Sequence, residues 1–178
     1  MSLEISLDEL KNIFPTLSIE YEVCGYLKSS NHYLNIYTEN KGQKGECESR
    51  YRKYMWHTHP SVSKAYPSAT DIIKVIKNEV IITSIIFTVW GIWEIHSVKK
   101  SPNLSLEKRQ SMNKHINELS ELVYLITDKG RIPTLSQEQL GEIYNYIAKM
   151  MRMFQGYKLG ISLTLWKDIK DNYKLRFE

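Results

Sequence analysis

HTHPSVSKAYPSATD, residues 57–71, places two histidines, two prolines, three serines, two threonines and an aspartate in fifteen positions. Its neighbours decide how it is read. Upstream, Tyr51–His59 carries an extended, aromatic pattern, and downstream SATDIIKVIKN sets Ile72, Ile73, Val75 and Ile76 in a helical register. The stretch is therefore predicted as a strand end, a loop and a helix start. Side chains alternate along a strand, so His57 and His59 project from one face and Thr58 from the other. Pro60 and Pro67 stiffen the loop, and folding it back brings the first helical turn, with Asp71, beside the strand end.

Two imidazoles and a carboxylate are a donor set for a divalent metal. Zinc is held by neutral imidazole nitrogens and carboxylates, and a catalytic site uses three protein ligands with a fourth position left open. The same residues also have a purely structural explanation. Ser68 with Asp71 three positions later forms a variant capping box, and an acid in a first helical turn is favoured by the helix dipole without any metal.

Outward from this segment the chain reads as one α+β domain with an antiparallel or mixed sheet. Ser6 and Glu9 predict a capped short helix stopped by Pro15. Residues 19–28 and 32–38 form a hairpin turning at Ser29, Ser30 and Asn31, and residues 39–50 are a polar loop. Residues 79–89 and 91–98 are β-branched, aromatic strands with a turn near Trp90 and Gly91. Met112, Ile116, Leu119, Val123 and Ile126 give residues 104–126 an apolar helical stripe. A second capping box, Ser136 with Gln139, opens a helix on which Leu140, Ile143, Ile147, Met151 and Phe154 share a face, with Gly156 as its C′ residue. ISLTLW and YKLRF close the chain as strands.

At 178 residues and 42% hydrophobic, the chain can bury a substantial core, and one domain spanning 1–178 is expected. The net charge of +4 is too diffuse to argue for nucleic acid, and no nucleic-acid partner is expected. The N-terminus lacks a basic region followed by a long apolar run, so a non-exported protein without membrane partners is expected. Cys24 and Cys47 could in principle pair, but are accordingly read as reduced thiols of the cytoplasm or nucleus, Cys24 as a small buried packing residue. His32, His96 and His115 fall at no ligand spacing. Trp56, Trp90 and Trp93 are core or cleft-wall aromatics, and Met150, Met151 and Met153 serve packing.

EVCGYL, residues 22–27, is similar to the E-V-[CM]-G-x-L strand of the JAMM (MPN+) metallopeptidases. HTHP followed by PSATD resembles their H-[ST]-H-P…S-x-x-D signature. The motifs occur in the family's order, and the resemblance covers roughly residues 4–98. Eight residues separate His59 from Ser68, one more than the usual pattern, an expansion with little cost in closure entropy. Glu20 would share a strand face with Glu22, and the Val-Cys-Gly that follows selects Glu22.

The resemblance implies a cytidine-deaminase-like three-layer domain, a curved mixed sheet flanked by helices with the metal at one edge. It implies a zinc isopeptidase in which His57, His59 and Asp71 hold one Zn²⁺, Glu22 is the general acid/base and Ser68 steadies the oxyanion. Its substrates would be ubiquitin or ubiquitin-like conjugates, and it admits a partner protein in a complex. Two other readings stay open. A non-catalytic MPN scaffold would be marked by loss of Glu22 or a ligand, which is not seen. A hydrolase of small peptide or amide conjugates is consistent with the short Glu22-to-His57 connection.

Overall fold

The computed structural model describes residues 2–42, 47–127 and 134–177. Among them eight strands form one curled mixed sheet: β1 (Glu4–Ile5), β2 (Val23–Ser30), β3 (Tyr33–Lys41), β4 (Tyr54–His59), β5 (Thr83–Thr88), β6 (Gly91–His96), β7 (Gly160–Leu165) and β8 (Tyr173–Lys174). Their order is β7-β6-β5-β4-β2-β3-β1-β8. The β4–β5 and β1–β3 pairs are parallel and the others antiparallel. Among the described residues four α-helices accompany the sheet: α1 (Leu7–Lys11), α2 (Ala69–Lys77), α3 (Leu106–Ile126) and α4 (Gln137–Met153). Parallel strands need a crossover, and α2 lies in the one between β4 and β5. The C-terminal end of β4 therefore leads towards the N-terminus of α2.

Strand alternation divides the core in two. Met55, Ile86, Trp93 and Ile95 pack with α2, α3 and α4, whereas Trp56, Ile85, Phe87 and Ile92 pack with Leu10, Ile13 and the C-terminal Tyr173 and Leu175 on the opposite face. His57 and His59 share Met55's parity and so face α2. Ile72, Val75 and Ile76 of α2 are buried, each stabilising the packing by roughly 1.5–3 kcal/mol. No described helix is long and apolar enough to cross a membrane.

Several boundaries differ from expectation, each for a local reason. The first helix ends at Lys11 rather than Phe14, and Pro15 lies in the opening turn of a 3-10 helix, Phe14–Ser18, where its missing N–H costs nothing. Ser6 caps Glu9 N at 3.2 Å, but the Glu9 carboxylate accepts from Ile36 N at 2.9 Å instead of closing the box, tying α1 to β3. The strand expected from Ile19 begins at Val23. The one expected from Glu79 begins at Thr83, because the Asn78 side chain accepts from Val80 N and Ile81 N and turns the chain. Gly156 is not the left-handed residue after α4: a 3-10 turn, Gln155–Tyr157, intervenes, and Lys158 takes φ 50°. On α4 it is Met150 that is fully buried, with Met151 at the margin.

The larger correction concerns the cysteines. Cys24 and Cys47 form a disulfide, with Cα atoms 5.9 Å apart, so they are not reduced thiols. The argument for a reducing compartment falls with that reading. The expectation of free thiols rested on the missing export pattern, which bears on compartment and not on which side chains the fold brings within bonding distance.

One close approach and one buried carboxylate explain residues the patterns left unexplained. A Cβ at Gly25 would lie 1.8 Å from Tyr37 O, so only glycine lets β3 approach β2 beside the bulge at Cys24/Gly25. Glu94, wholly buried on β6, accepts from Tyr173 Oη at 2.9 Å, Arg176 N at 2.8 Å and Phe177 N at 3.0 Å. Burial holds its carboxyl above the usual range despite those bonds.

Candidate metal centre

The site forms where β4 ends and α2 begins. Three bonds beyond regular pairing set its frame. Thr58, on the face opposite the histidines, accepts from Val23 N at 2.9 Å, which holds the start of β2, with Glu22 just before it, against β4. Ser68 caps α2 by accepting from Asp71 N at 3.1 Å, and Ser68 N donates back to Asp71 Oδ2 at 2.7 Å. The capping box expected at Ser68 is thus complete, and it orients the aspartate towards β4.

His57, His59 and Asp71 each offer a ligand atom within 4.8 Å of the others. Nε2 of His57 is 3.2 Å from Asp71 Oδ1 and 3.1 Å from Nε2 of His59. Nε2 of His59 is 3.5 Å from Asp71 Oδ2 and 3.9 Å from Glu22 Oε1. The Ser68 hydroxyl donates to Asp71 Oδ2 at 2.7 Å. With Oδ2 accepting two bonds from Ser68, Oδ1 is the oxygen turned to His57.

The protonation pattern follows from the partners. Nδ1 of His59 faces two carbonyl oxygens, Tyr66 O at 2.8 Å and Lys64 O at 3.1 Å. Carbonyls only accept, so Nδ1 carries the proton and Nε2 presents a lone pair. Burial, then the neighbouring His57 charge, push His59 down to about 4 and keep it neutral near pH 7. That lone pair points at the carboxylates of Asp71 and Glu22, an arrangement that a cation between them stabilises. The residues present therefore fit a divalent metal. Burial lowers the His57 pKa, but the charge and hydrogen bond of Asp71 and the charge of Glu22 outweigh it and leave it raised. Burial raises Asp71, and the two histidines and the Ser68 hydroxyl more than reverse this.

Glu22, His57, His59, Ser68 and Asp71, all singled out from the sequence, line one cleft of about 570 Å³. The disulfide, Glu48, Ser49, Tyr66 and Lys74 line it too. The eight residues between His59 and Ser68 form a strap, residues 60–67, that contains a short 3-10 turn, Val62–Lys64. Ser68's hydroxyl proton is engaged by Asp71. His32, His96 and His115 lie outside this group: His96 shares a hydrogen bond with Thr83 and His115 with Ser111 O.

Sequence reasoning missed the carbonyls of Lys64 and Tyr66, the Thr58 anchor and the disulfide wall. Main-chain acceptors carry no residue-type signal. Thr58 had a weak one, a polar residue at a position of the strand facing the second core. No family model, curated protein or solved structure matches the chain, so its functional reading rests on the geometry of this site.

Proposed function

We propose that this chain is a zinc-dependent hydrolase of the JAMM (MPN+) type, with the corresponding fold, that cleaves amide or isopeptide bonds of ubiquitin or ubiquitin-like conjugates. One observation carries the reading: two imidazole Nε2 atoms and the Asp71 carboxylate converge, with the Glu22 carboxylate 3.9 Å from His59 Nε2. His57, His59 and Asp71 would hold the ion. When bound, zinc supplies a water acidified from a pKa of ~15.7 to near 7 and a Lewis acid for the scissile carbonyl.

The chain's own residues account for the remainder of the chemistry. Glu22, beside the ligands but not within their closest cluster, accepts a proton from the attacking water and passes it to the leaving amine, a service typically worth about 10²–10⁴-fold. The tautomer set on His59 leaves its Nε2 free to ligate. The Ser68 hydroxyl orients Asp71 in the described state, and its service to an oxyanion requires that it turn from Asp71 Oδ2.

A hydrolase of small amide conjugates is the second reading. The connection from β3 to β4 spans residues 42–53, which offers little extra surface for gripping a large protein. The deciding experiment measures zinc content and cleavage of a conjugate panel, protein and small-molecule, by wild type, His57→Ala and Glu22→Gln. The expected result is about one zinc per wild-type chain, loss of metal in His57→Ala, and metal retained with turnover lost in Glu22→Gln. Stoichiometric zinc with no cleavage of any conjugate would leave a scaffold as the better reading.

A further inference from the structure

The strap between β4 and α2 does more than connect them. Its residues 64–66 present three consecutive carbonyls in alternating directions. Those of Lys64 and Tyr66 accept from His59 Nδ1, and the one between, Ala65 O, accepts from Trp93 Nε1 at 3.0 Å. Ala65 and Trp93 are both completely buried. Trp93 is two strands from β4 in the same row of the sheet, opposite Ile86, which is in turn opposite His57. A second bond, from Tyr66 Oη to Ser120 Oγ at 2.7 Å, fastens the strap to α3.

We infer that Trp93 is a positioning residue for the metal centre: by fixing the Ala65 carbonyl it holds the strap in the register that presents two acceptors to His59, and so sets the tautomer and ring angle of that ligand. The inference rests on the metal-centre reading above. Groups that bind the far nitrogen of a histidine ligand raise its basicity and limit its orientation, and their loss typically weakens metal binding about 10–100-fold. Trp93 acts one bond further out, through backbone. Without its N–H the Ala65 carbonyl is buried and unpaired, which drives the strap to shift.

The molecule contains a matched control. Trp90 packs in the same core as Trp93, but its Nε1 is buried with no hydrogen-bond partner. Trp90→Phe therefore removes comparable volume without removing a bond. Zinc dissociation constants are measured by competition with a chromophoric chelator on full-length wild type, Trp93→Phe, Trp90→Phe and Tyr66→Phe, and visible spectra are recorded with Co²⁺ as a probe of ligand geometry. The expected result is about tenfold weaker zinc binding and altered Co²⁺ bands for Trp93→Phe, a smaller weakening for Tyr66→Phe, and affinity within about twofold of wild type for Trp90→Phe.

Wild-type affinity in a folded Trp93→Phe protein overturns the inference, as does an equal loss in Trp90→Phe, which would show general loosening of the core. Should Trp93→Phe not fold, Tyr66→Phe decides, and unchanged affinity and spectrum there also overturn it. A wild-type protein that binds no zinc removes the metal centre and this role together, whereas zinc bound equally by wild type and Trp93→Phe removes the role alone.

Discussion

Ser68→Ala separates two roles that one hydroxyl can fill. In the structure Ser68 Oγ accepts from Asp71 N at 3.1 Å and donates to Asp71 Oδ2 at 2.7 Å. Loss of a helix N-cap costs about 1 kcal/mol, and a hydrogen bond to a charged group contributes about 1.5–3 kcal/mol. Asp71 Oδ2 keeps its 2.7 Å bond from Ser68 N, so the lower end of that second range applies. The total is roughly 2–3 kcal/mol, which for a chain of this size lowers Tm by about 5–10 °C. With Asp71 less firmly oriented, zinc affinity falls about tenfold. Thermal melts of metal-free protein followed by chelator competition test both, with Ser68→Thr, which keeps the cap, staying near wild type. A Ser68→Ala protein that melts within about 1 °C of wild type, metal-free, refutes the orienting role. Turnover loss alone would then favour service to the oxyanion.

The disulfide closes a segment of 23 residues, and the chain-entropy model gives about 3 kcal/mol of stabilisation for such a loop; denaturant melts of wild type against the Cys24→Ser, Cys47→Ser double variant should show that loss, and coincident melts would count against the cross-link. The pH dependence of metal binding follows from the histidines. His57 has a raised pKa in the metal-free protein, so its pairing with Asp71 contributes stability that is fully present below its unfolded value of about 6.5 and is lost as pH rises through the raised folded value. Zinc must displace that proton, so affinity should fall towards about tenfold per pH unit as the solution is acidified below the raised value; affinity unchanged from about pH 5 to about pH 8 would contradict the assignment.

Local chemistry made much of the site legible in advance. The i, i+2 spacing of His57 and His59 on a strand has one geometric consequence, a shared face, and Ser68 with Asp71 has one local solution, the capping box now seen complete. The helical stripes of α3 and α4 were readable for the same reason, since their period depends on neighbours a few residues away. Boundaries failed where a distant partner intervened. Glu9 left its own helix cap for Ile36 N on β3, and the absence of an export pattern misdirected the reading of Cys24 and Cys47, which the fold joins across residues distant in the chain.

By itself, then, the sequence determined the donor types, the faces they occupy and the helix start that carries Asp71, because each of these depends on backbone periodicity and short-range capping. Tertiary structure decided the rest: the distance from Glu22 to His59, set by Thr58 holding Val23 N, and the tautomer of His59, set by carbonyls on a strap that Trp93 anchors from β6. Those contacts join elements distant in the chain through main-chain atoms, which every residue possesses, and so no pattern of side chains encodes them.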